Sequence, residues 1–226
     1  DAYRVQQLVS HLREPAPPRV VGRKVGLTSP VVQRQMGVDE PDFGVLTADM
    51  AFADAQPMPT ELLMQPMIEG EIAFVLGADL DRMPVRAADV MRATEFVVAA
   101  IEVVDSRIAN WDINIFDTVS DNASSGVFVL SGTPRLLSAL DDLRDVAMTL
   151  ECDGDVVSSG TGAACLGHPV NAVTWLANTV ATRGAPLLAG EVVLSGALGP
   201  LVPVRPGAVY EARLAGLGSV RANFGS

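Results

Sequence analysis

Cysteine is scarce in this sequence: Cys152 and Cys165 are the only two among 226 residues. That excludes a disulfide-stapled scaffold and leads us to expect two reduced thiols in a cytoplasmic protein. Cations are also in deficit, with 16 Lys and Arg against 27 Asp and Glu and a formal net charge of −11. Phosphate-backbone binding needs clustered cations to displace counterions, so a nucleic-acid partner is excluded. An anionic small molecule is not, because one placed cation or a bound metal reverses the local field. No apolar run reaches the roughly 18–20 residues of a spanning helix, so no membrane partner is expected. The N-terminus carries no basic-then-apolar signal pattern. Apolar residues are plentiful at 49%, with 19% charged, enough for a well-packed core in one large domain.

The patterning is strand-rich. Residues 3–14 read as a helix with Val5, Leu8, Val9 and Leu12 on one face, followed by a break at Pro15, Pro17 and Pro18. Residues 19–27 read as a strand, and Ser29-Pro30 opens a short helix that Gly37 ends. Residues 39–66 read as irregular loop with short strands, 68–76 as a strand, 85–93 as a helix and 96–104 as an apolar strand. Residues 110–125 read as polar loop before a strand over 127–130. One helix follows in the C-terminal part, from Pro169 to a stop at Gly184, and short strands are expected over 191–194, 201–204 and 209–214. Strands outnumber helices without regular alternation, which predicts a single α+β, sheet-dominated domain over 1–226.

The chemistry-bearing residues are acidic. In Ile68-Glu69-Gly70-Glu71-Ile72-Ala73-Phe74, strand alternation puts Glu69 and Glu71 on one face. Two such carboxylates either bind one hard cation or line the wet side of an edge strand, and this segment alone favours the second. Glu102 shifts the balance. It lies in Val97-Val98-Ala99-Ala100-Ile101-Glu102-Val103-Val104, a run that reads as buried on both faces. An ionised carboxylate there needs a salt bridge or a metal. Three glutamates on two strands, with few Cys and His, suit oxygen-ligated Mg²⁺ or Mn²⁺ better than zinc. In Gly22-Arg23-Lys24-Val25-Gly26, Arg23 and Lys24 face opposite sides, so one points inward. An inward Lys24 beside a metal would serve as a proton-transfer group or carboxylate anchor; a surface ion pair is the plainer alternative. The small polar residues 117–126 suit a ligand loop or a simple turn, and Asp42 in Pro41-Asp42-Phe43-Gly44 is a similar case.

Other motifs fall away. Gly160-Thr161-Gly162 lacks the dinucleotide fingerprint. Ser124, His168 and Asp121 lack a nucleophile elbow. His168 before Pro169 reads as a helix cap, Cys165 as a small core residue and Trp175 as packing.

Six stretches, in order along nearly the whole chain, resemble the 2-keto-4-pentenoate (2-hydroxypentadienoate) hydratase family. They are residues 22–29, 41–44, 69–77, 101–107, 117–126 and 166–171. The resemblance implies a fumarylacetoacetate-hydrolase-like fold, a β-rich mixed roll with flanking helices. It implies a divalent metal, Mg²⁺ or Mn²⁺, on Glu69, Glu71 and Glu102, with Lys24 and Asp42 as catalytic residues. Ser124 or Ser125, together with Leu46, would contact the substrate, a small anionic 2-hydroxy or 2-oxo acid. The implied reaction hydrates 2-hydroxypenta-2,4-dienoate, or a homologue such as the hexadienoate, in aromatic or sterol catabolism. It also implies a homo-oligomer, a pentamer or decamer, and a complex with a pathway decarboxylase or aldolase. The chain departs from many relatives at Met67, where they carry a basic residue; relatives also usually have a helical segment before the position of Asp1, so an N-terminal segment is expected to precede the sequence given.

The nearest alternative is the sister family of 4-oxalocrotonate decarboxylases. Their dicarboxylate substrate calls for an extra cation, and the low lysine content leaves few candidates. A non-catalytic partner subunit would be expected to have lost the glutamates or Lys24. An acylpyruvate hydrolase would want a general-base histidine, for which His11 and His168 are poorly placed.

Overall fold

Alternation along one central strand sorts this chain into two faces. The computed structural model describes residues 1–12, 18–38 and 40–225. Its elements run α1 (Ala2–His11), β1 (Val20–Gly26), α2 (Pro30–Met36), β2 (Asp42–Thr47), β3 (Ala51–Phe52), β4 (Met67–Leu76), α3 (Ala87–Ala93), β5 (Thr94–Val104) and α4 (Ile115–Ser120). They continue with β6 (Ser125–Leu130), β7 (Ala147–Cys152), β8 (Asp155–Thr161), α5 (Pro169–Ala181), β9 (Val192–Leu194), β10 (Val202–Pro203), β11 (Val209–Leu214) and β12 (Gly218–Asn223).

The larger sheet is mixed, in the order β2-β1-β9-β4-β5-β6-β3, with β10 also paired to β4. The smaller is antiparallel, β12-β11-β7-β8. On β4 the even-numbered Ile68, Ile72, Phe74 and Leu76 point toward the smaller sheet and join one core with Met148, Leu150, Tyr210, Ala212 and α5. Gly70 falls in this series because a Cβ there would press on Met148 at 3.0 Å. The odd-numbered Glu69, Glu71 and Ala73 point to the opposite, concave face. There Ala73 packs with Leu46, Val98, Ala100, Phe128 and Leu194 in a separate cluster.

The sheet curls over that concave face. β2 lies against the turn before β6, where Val45 N–H donates to Asn122 Oδ1 and Asn122 Nδ2 donates back to the Val45 carbonyl. The α+β expectation and the elements around 19–37, 68–76, 85–104 and 169–184 correspond to what is found, within a few residues at each end.

Three expectations are corrected. Residues 110–125 are not simply loop: Asn114 accepts from Phe116 and Asp117 N–H while Asp117 accepts from Asn114 N–H, a capping box that starts α4. Strands β7, β8 and β12 were missed. The first two are joined at Asp153-Gly154, whose φ angles of 53° and 95° make a tight turn. The apolar stripe of α1 does not face the core: Leu8 is 57% and Leu12 77% exposed, while Gln6 is the buried residue of that helix at 2%. Helix α1 lies at the periphery against β2 and α4, and Gln6 hydrogen bonds fix it there. The helix end expected at Glu14 and the break at Pro15 and Pro17 lie outside the described residues.

Candidate metal centre and active site

Glu69 and Glu71 share a face of β4, and antiparallel pairing sets Glu102 of β5 directly opposite Glu69. All three are buried, and one carboxylate oxygen from each lies within 4.8 Å of the others. β4 is central in the sheet, so the wet-edge reading of Glu69 and Glu71 does not hold. Glu71 Oε2 accepts from Gly196 N–H at 2.7 Å. Among the described residues, Glu71 Oε1 and Glu102 Oε2 are buried without a hydrogen-bond donor. Such orphaned oxygens on neighbouring carboxylates are what a hard divalent cation satisfies, and the donor set is all oxygen. These residues therefore fit a divalent metal. Burial and the Glu102 charge push the Glu69 carboxyl up to about 8, against the opposing charge of Lys24. The same causes push Glu71 well above the usual range.

Lys24 on β1 points to the same face, and the plainer alternative for it, a surface ion pair, does not apply. Its Nζ lies 3.1 Å from Glu102 Oε1 in a buried ion pair. Arg23, on the other side of the strand, pairs with Glu191. Burial alone would lower the Lys24 pKa, but the charges of Glu102, Asp42 and Glu69 outweigh it and the net shift is upward. The surroundings thus favour the ammonium form of Lys24, the only lysine in the sequence.

Asp42 begins β2 beside Gly26, which is glycine for a reason: a Cβ there would stand 2.1 Å from Asp42 Oδ1. Burial raises the Asp42 carboxyl, while Lys24 and a hydrogen bond from Thr118 oppose the rise without cancelling it. Thr118 Oγ1 donates to Asp42 Oδ2 at 3.1 Å and lies 3.3 Å from Ser124 Oγ. Ser124 ends a run of three left-handed residues, with φ of 56° at Asn122, 53° at Ala123 and 52° at Ser124. That conformation is costly for side chains with a Cβ, so the surroundings must hold it. Arg107 does much of this, with Nε donating to Asp121 Oδ1, Nη2 to the Asp121 carbonyl and Nη1 to the Ser125 carbonyl.

A cavity opens over this group. Its polar end is formed by Lys24, Asp42, Glu69, Thr118 and Ser124. Its other walls are apolar, chiefly Leu27, Val32, Val38, Trp111, Ile113 and Leu201. Of the two candidate serines, Ser124 faces this cavity, whereas the Ser125 hydroxyl donates to the Asn122 carbonyl and borders a different groove. Leu46 is not brought to the cavity. It shares the lysine-bearing face but lies one paired step deeper, opposite Gly22 where Gly44 is opposite Lys24, inside the small apolar cluster. His168 caps α5 by accepting from Val170 N–H and contacts Asp142 on the surface. Cys165 is buried core, and Trp175 packs against that core.

Sequence reasoning missed Thr118, Gly196 and the Arg107 clamp. For Thr118 a weak signal existed, since it lies in the small polar stretch already singled out. Gly196 acts through its backbone N–H on a distant segment and left no local mark, while Arg107 ends one of the stretches that carry the family resemblance but its grip on Asp121 and Ser125 is not a local pattern.

The model of the fumarylacetoacetate (FAA) hydrolase C-terminal family matches residues 20–224. A 2-keto-4-pentenoate hydratase of Burkholderia vietnamiensis is 57% identical over 223 residues, covering 99% of this chain and 85% of that protein. A 2-hydroxyhexa-2,4-dienoate hydratase of Comamonas testosteroni is 45% identical over 226 residues, covering 99% of this chain and 85% of that protein. Among solved structures, 4-oxalocrotonate decarboxylase from Pseudomonas putida G7, complexed with magnesium and adipate, superposes with a TM-score of 0.91. It is 38% identical and covers 98% of this chain and 84% of that one.

Proposed function

This chain belongs to the fumarylacetoacetate hydrolase C-terminal family, and on that premise we propose that it is a metal-dependent hydratase of 2-hydroxypenta-2,4-dienoate or a close homologue such as the hexadienoate. It is a hydro-lyase of aromatic catabolism, like the relatives just described. The observation that carries the reading is the buried cluster of Glu69, Glu71 and Glu102 beside the Lys24 ammonium, at the polar end of a mostly apolar cavity. Glu69, Glu71 and Glu102 would hold Mg²⁺ or Mn²⁺, which when bound supplies Lewis-acid polarisation of the substrate's 2-oxygen and carboxylate.

The chain's own residues do the rest. Lys24, held protonated by three nearby carboxylates, attracts the anionic head of the substrate. Asp42, with its raised pKa and its place beside Lys24, is suited to carry a proton. Together they serve the tautomerisation, in which the 2-hydroxyl loses its proton and C5 gains one to give the 2-oxo-3-enoate. Water then adds across C3 and C4, oxygen to C4 and proton to C3, giving the 4-hydroxy-2-oxo acid. Ser124 offers its hydroxyl at the same end, and the apolar walls exclude bulk water and receive the substrate's tail.

The decarboxylase reading has one observation in its favour, the close superposition on the 4-oxalocrotonate enzyme. Against it stands the cavity lining, in which Lys24 is the one cationic side chain among the described residues. A dicarboxylate's far end would be buried against Val32, Trp111 and Ile113 without a partner, which is costly. The test is to supply freshly made 2-hydroxypenta-2,4-dienoate and 2-oxohex-3-enedioate to the Mg²⁺-loaded protein. A hydrated product identified by mass supports the hydratase; CO₂ release from the second acid alone would move the protein to the decarboxylases.

A single catalytic domain and a homo-oligomer, a pentamer or decamer, belong to the same proposal, as does a complex with a pathway decarboxylase or aldolase. The exposed apolar side chains of α1 support assembly. No helix among the described residues is long and apolar enough to cross a membrane. Two free, buried cysteines fit a reducing cytoplasm.

A further inference from the structure

We infer that Gln6, from helix α1, and Thr118, from helix α4, are positioning residues for Asp42. The inference rests on Asp42 acting in the proposed reaction, but the geometry behind it does not.

Helix α1 is docked in an unusual way. Its apolar residues Val5, Leu8 and Val9, and Leu12 at its C-cap, are exposed in the single chain, so this stripe does not hold the helix to the chain's own core. Its buried residue is polar. Gln6 Nε2 donates to two carbonyls from distant parts of the chain, Phe43 on β2 and Val119 on α4, each at 3.0 Å. These carbonyls belong to the residues immediately following Asp42 and Thr118. Beside them, Thr118 Oγ1 donates to Asp42 Oδ2. Strand β2 and helix α4 are therefore tied twice at adjacent residues, once through backbone and once through side chains. Tyr3, one helical turn before Gln6, stacks on Phe43 at 4.2 Å, and Arg183 covers the other side of its ring at 4.1 Å. The backbone next to Asp42 is thus clamped from the α1 side, and the carboxylate is gripped from the α4 side.

A proton count gives the grip a direction. Thr118 has one hydroxyl proton, and while Asp42 is ionised that proton goes to Oδ2. The contact between Thr118 and Ser124 must then use the Ser124 proton, leaving Ser124 to present only an acceptor to the cavity. Asp42 Oδ1 has no hydrogen-bond donor among the described residues and is the oxygen left free for chemistry. Thr118 thereby selects which Asp42 oxygen reacts, and it couples the carboxylate to Ser124 without itself touching the reacting atoms.

The test is a double-mutant cycle on the Mg²⁺-loaded full chain, pairing Thr118→Val with Asp42→Asn and using Thr118→Ser as the conservative control. Thr118→Val should lower kcat for 2-hydroxypenta-2,4-dienoate about 10- to 100-fold, the worth of a hydrogen bond to a charged group. KM should stay near wild type, Tm should fall by what one lost buried hydrogen bond costs, and Thr118→Ser should restore most of the rate and of the Tm. In the Asp42→Asn background the same valine should cost almost nothing further, because the two residues act as a unit. Equal losses in both backgrounds would overturn the inference, as would an unchanged kcat.

A crystal structure of Thr118→Val supplies a readout independent of turnover: the Asp42 carboxylate should rotate away from its present orientation, and an unmoved carboxylate would count against us. Gln6→Met should reproduce the kcat loss. A Gln6→Met protein as active as wild type would remove α1 from the account. Wild-type inactivity toward the dienoate would defeat the functional reading alone, since the carboxylate's orientation would still decide the positioning claim.

Discussion

Lys24 Nζ and Glu102 Oε1 stand 3.1 Å apart, both almost fully buried, and the three glutamates at this site share that one ammonium. The pair therefore cannot neutralise the cluster; it leaves two further carboxylates to be matched by a cation or a proton. Removing one member of a buried pair strands the other, which typically costs about 3–5 kcal/mol. Lys24→Met should accordingly destabilise the metal-free protein by an amount of that order, read by denaturant unfolding. The double variant Lys24→Met/Glu102→Gln should recover part of the loss. Lys24→Arg should restore the charge but not the activity, since a planar guanidinium cannot take the place of a compact ammonium.

The raised carboxyls set a pH dependence whose sign is fixed. A carboxyl whose folded pKa exceeds its unfolded value contributes stability that is present at low pH and lost as the pH rises through the folded value. For Glu69 that window runs from the ordinary 4.5 up to about 8, and Glu71 is shifted in the same direction. The chelated protein should have a lower Tm at pH 8 than at pH 5. Saturating Mg²⁺ should flatten or reverse the trend, because the ionised carboxylates are then matched. Thermal melts at the two pH values, with chelator and with metal, check both halves.

Much of this centre could be read from the chain because strand alternation is a local rule. Glu69 and Glu71 had to share a face, and a carboxylate within the apolar run around Glu102 had to be paired. Other features depended on contacts between distant segments. The stripe of α1 looked like a core face, yet Gln6 is what binds that helix, and no local pattern distinguishes a helix held by two remote carbonyls. Leu46 follows Asp42 closely in sequence, but pairing with Gly22 carries it a step deeper than Lys24. Thr118 was hidden in a stretch taken for loop, because the capping box that folds it into α4 is short and its contact with Asp42 spans 76 residues.

Two glycines of β1 separate fold from function. A Cβ at Gly22 would meet the Val192 carbonyl oxygen at 2.0 Å, on the backbone of the neighbouring strand β9. One at Gly26 would meet side chains instead, Asp42 Oδ1 at 2.1 Å and Lys24 Nζ at 3.5 Å. Gly22→Ala should therefore lower stability sharply or prevent folding. Gly26→Ala should leave a folded protein with the Asp42 carboxylate displaced and kcat reduced at least about 10-fold, a loss worth roughly 1.4 kcal/mol of barrier. Circular dichroism melts set beside steady-state rates distinguish the two.

The apolar cavity walls predict the order of substrates. With Lys24 as the one cation among the described lining residues, a second substrate carboxylate has nothing to pair with. The kcat/KM for 2-oxohex-3-enedioate should fall well below that for the neutral-tailed dienoates. Ile113→Arg should narrow the gap, by about 10-fold or more if the new guanidinium reaches the far carboxylate. Competition assays on wild type and variant would measure it.

The central claim is that Glu69, Glu71 and Glu102 hold the divalent ion on which hydration depends. The most direct measurement follows turnover of 2-hydroxypenta-2,4-dienoate by chelated protein while Mn²⁺ is added back and the bound ion is counted by electron paramagnetic resonance. The account predicts a rate that rises with bound Mn²⁺, reaches its plateau at about one ion per chain, and disappears with the ion in Glu71→Gln. Full activity in the chelated protein, or Glu71→Gln binding Mn²⁺ as tightly as wild type, would contradict it.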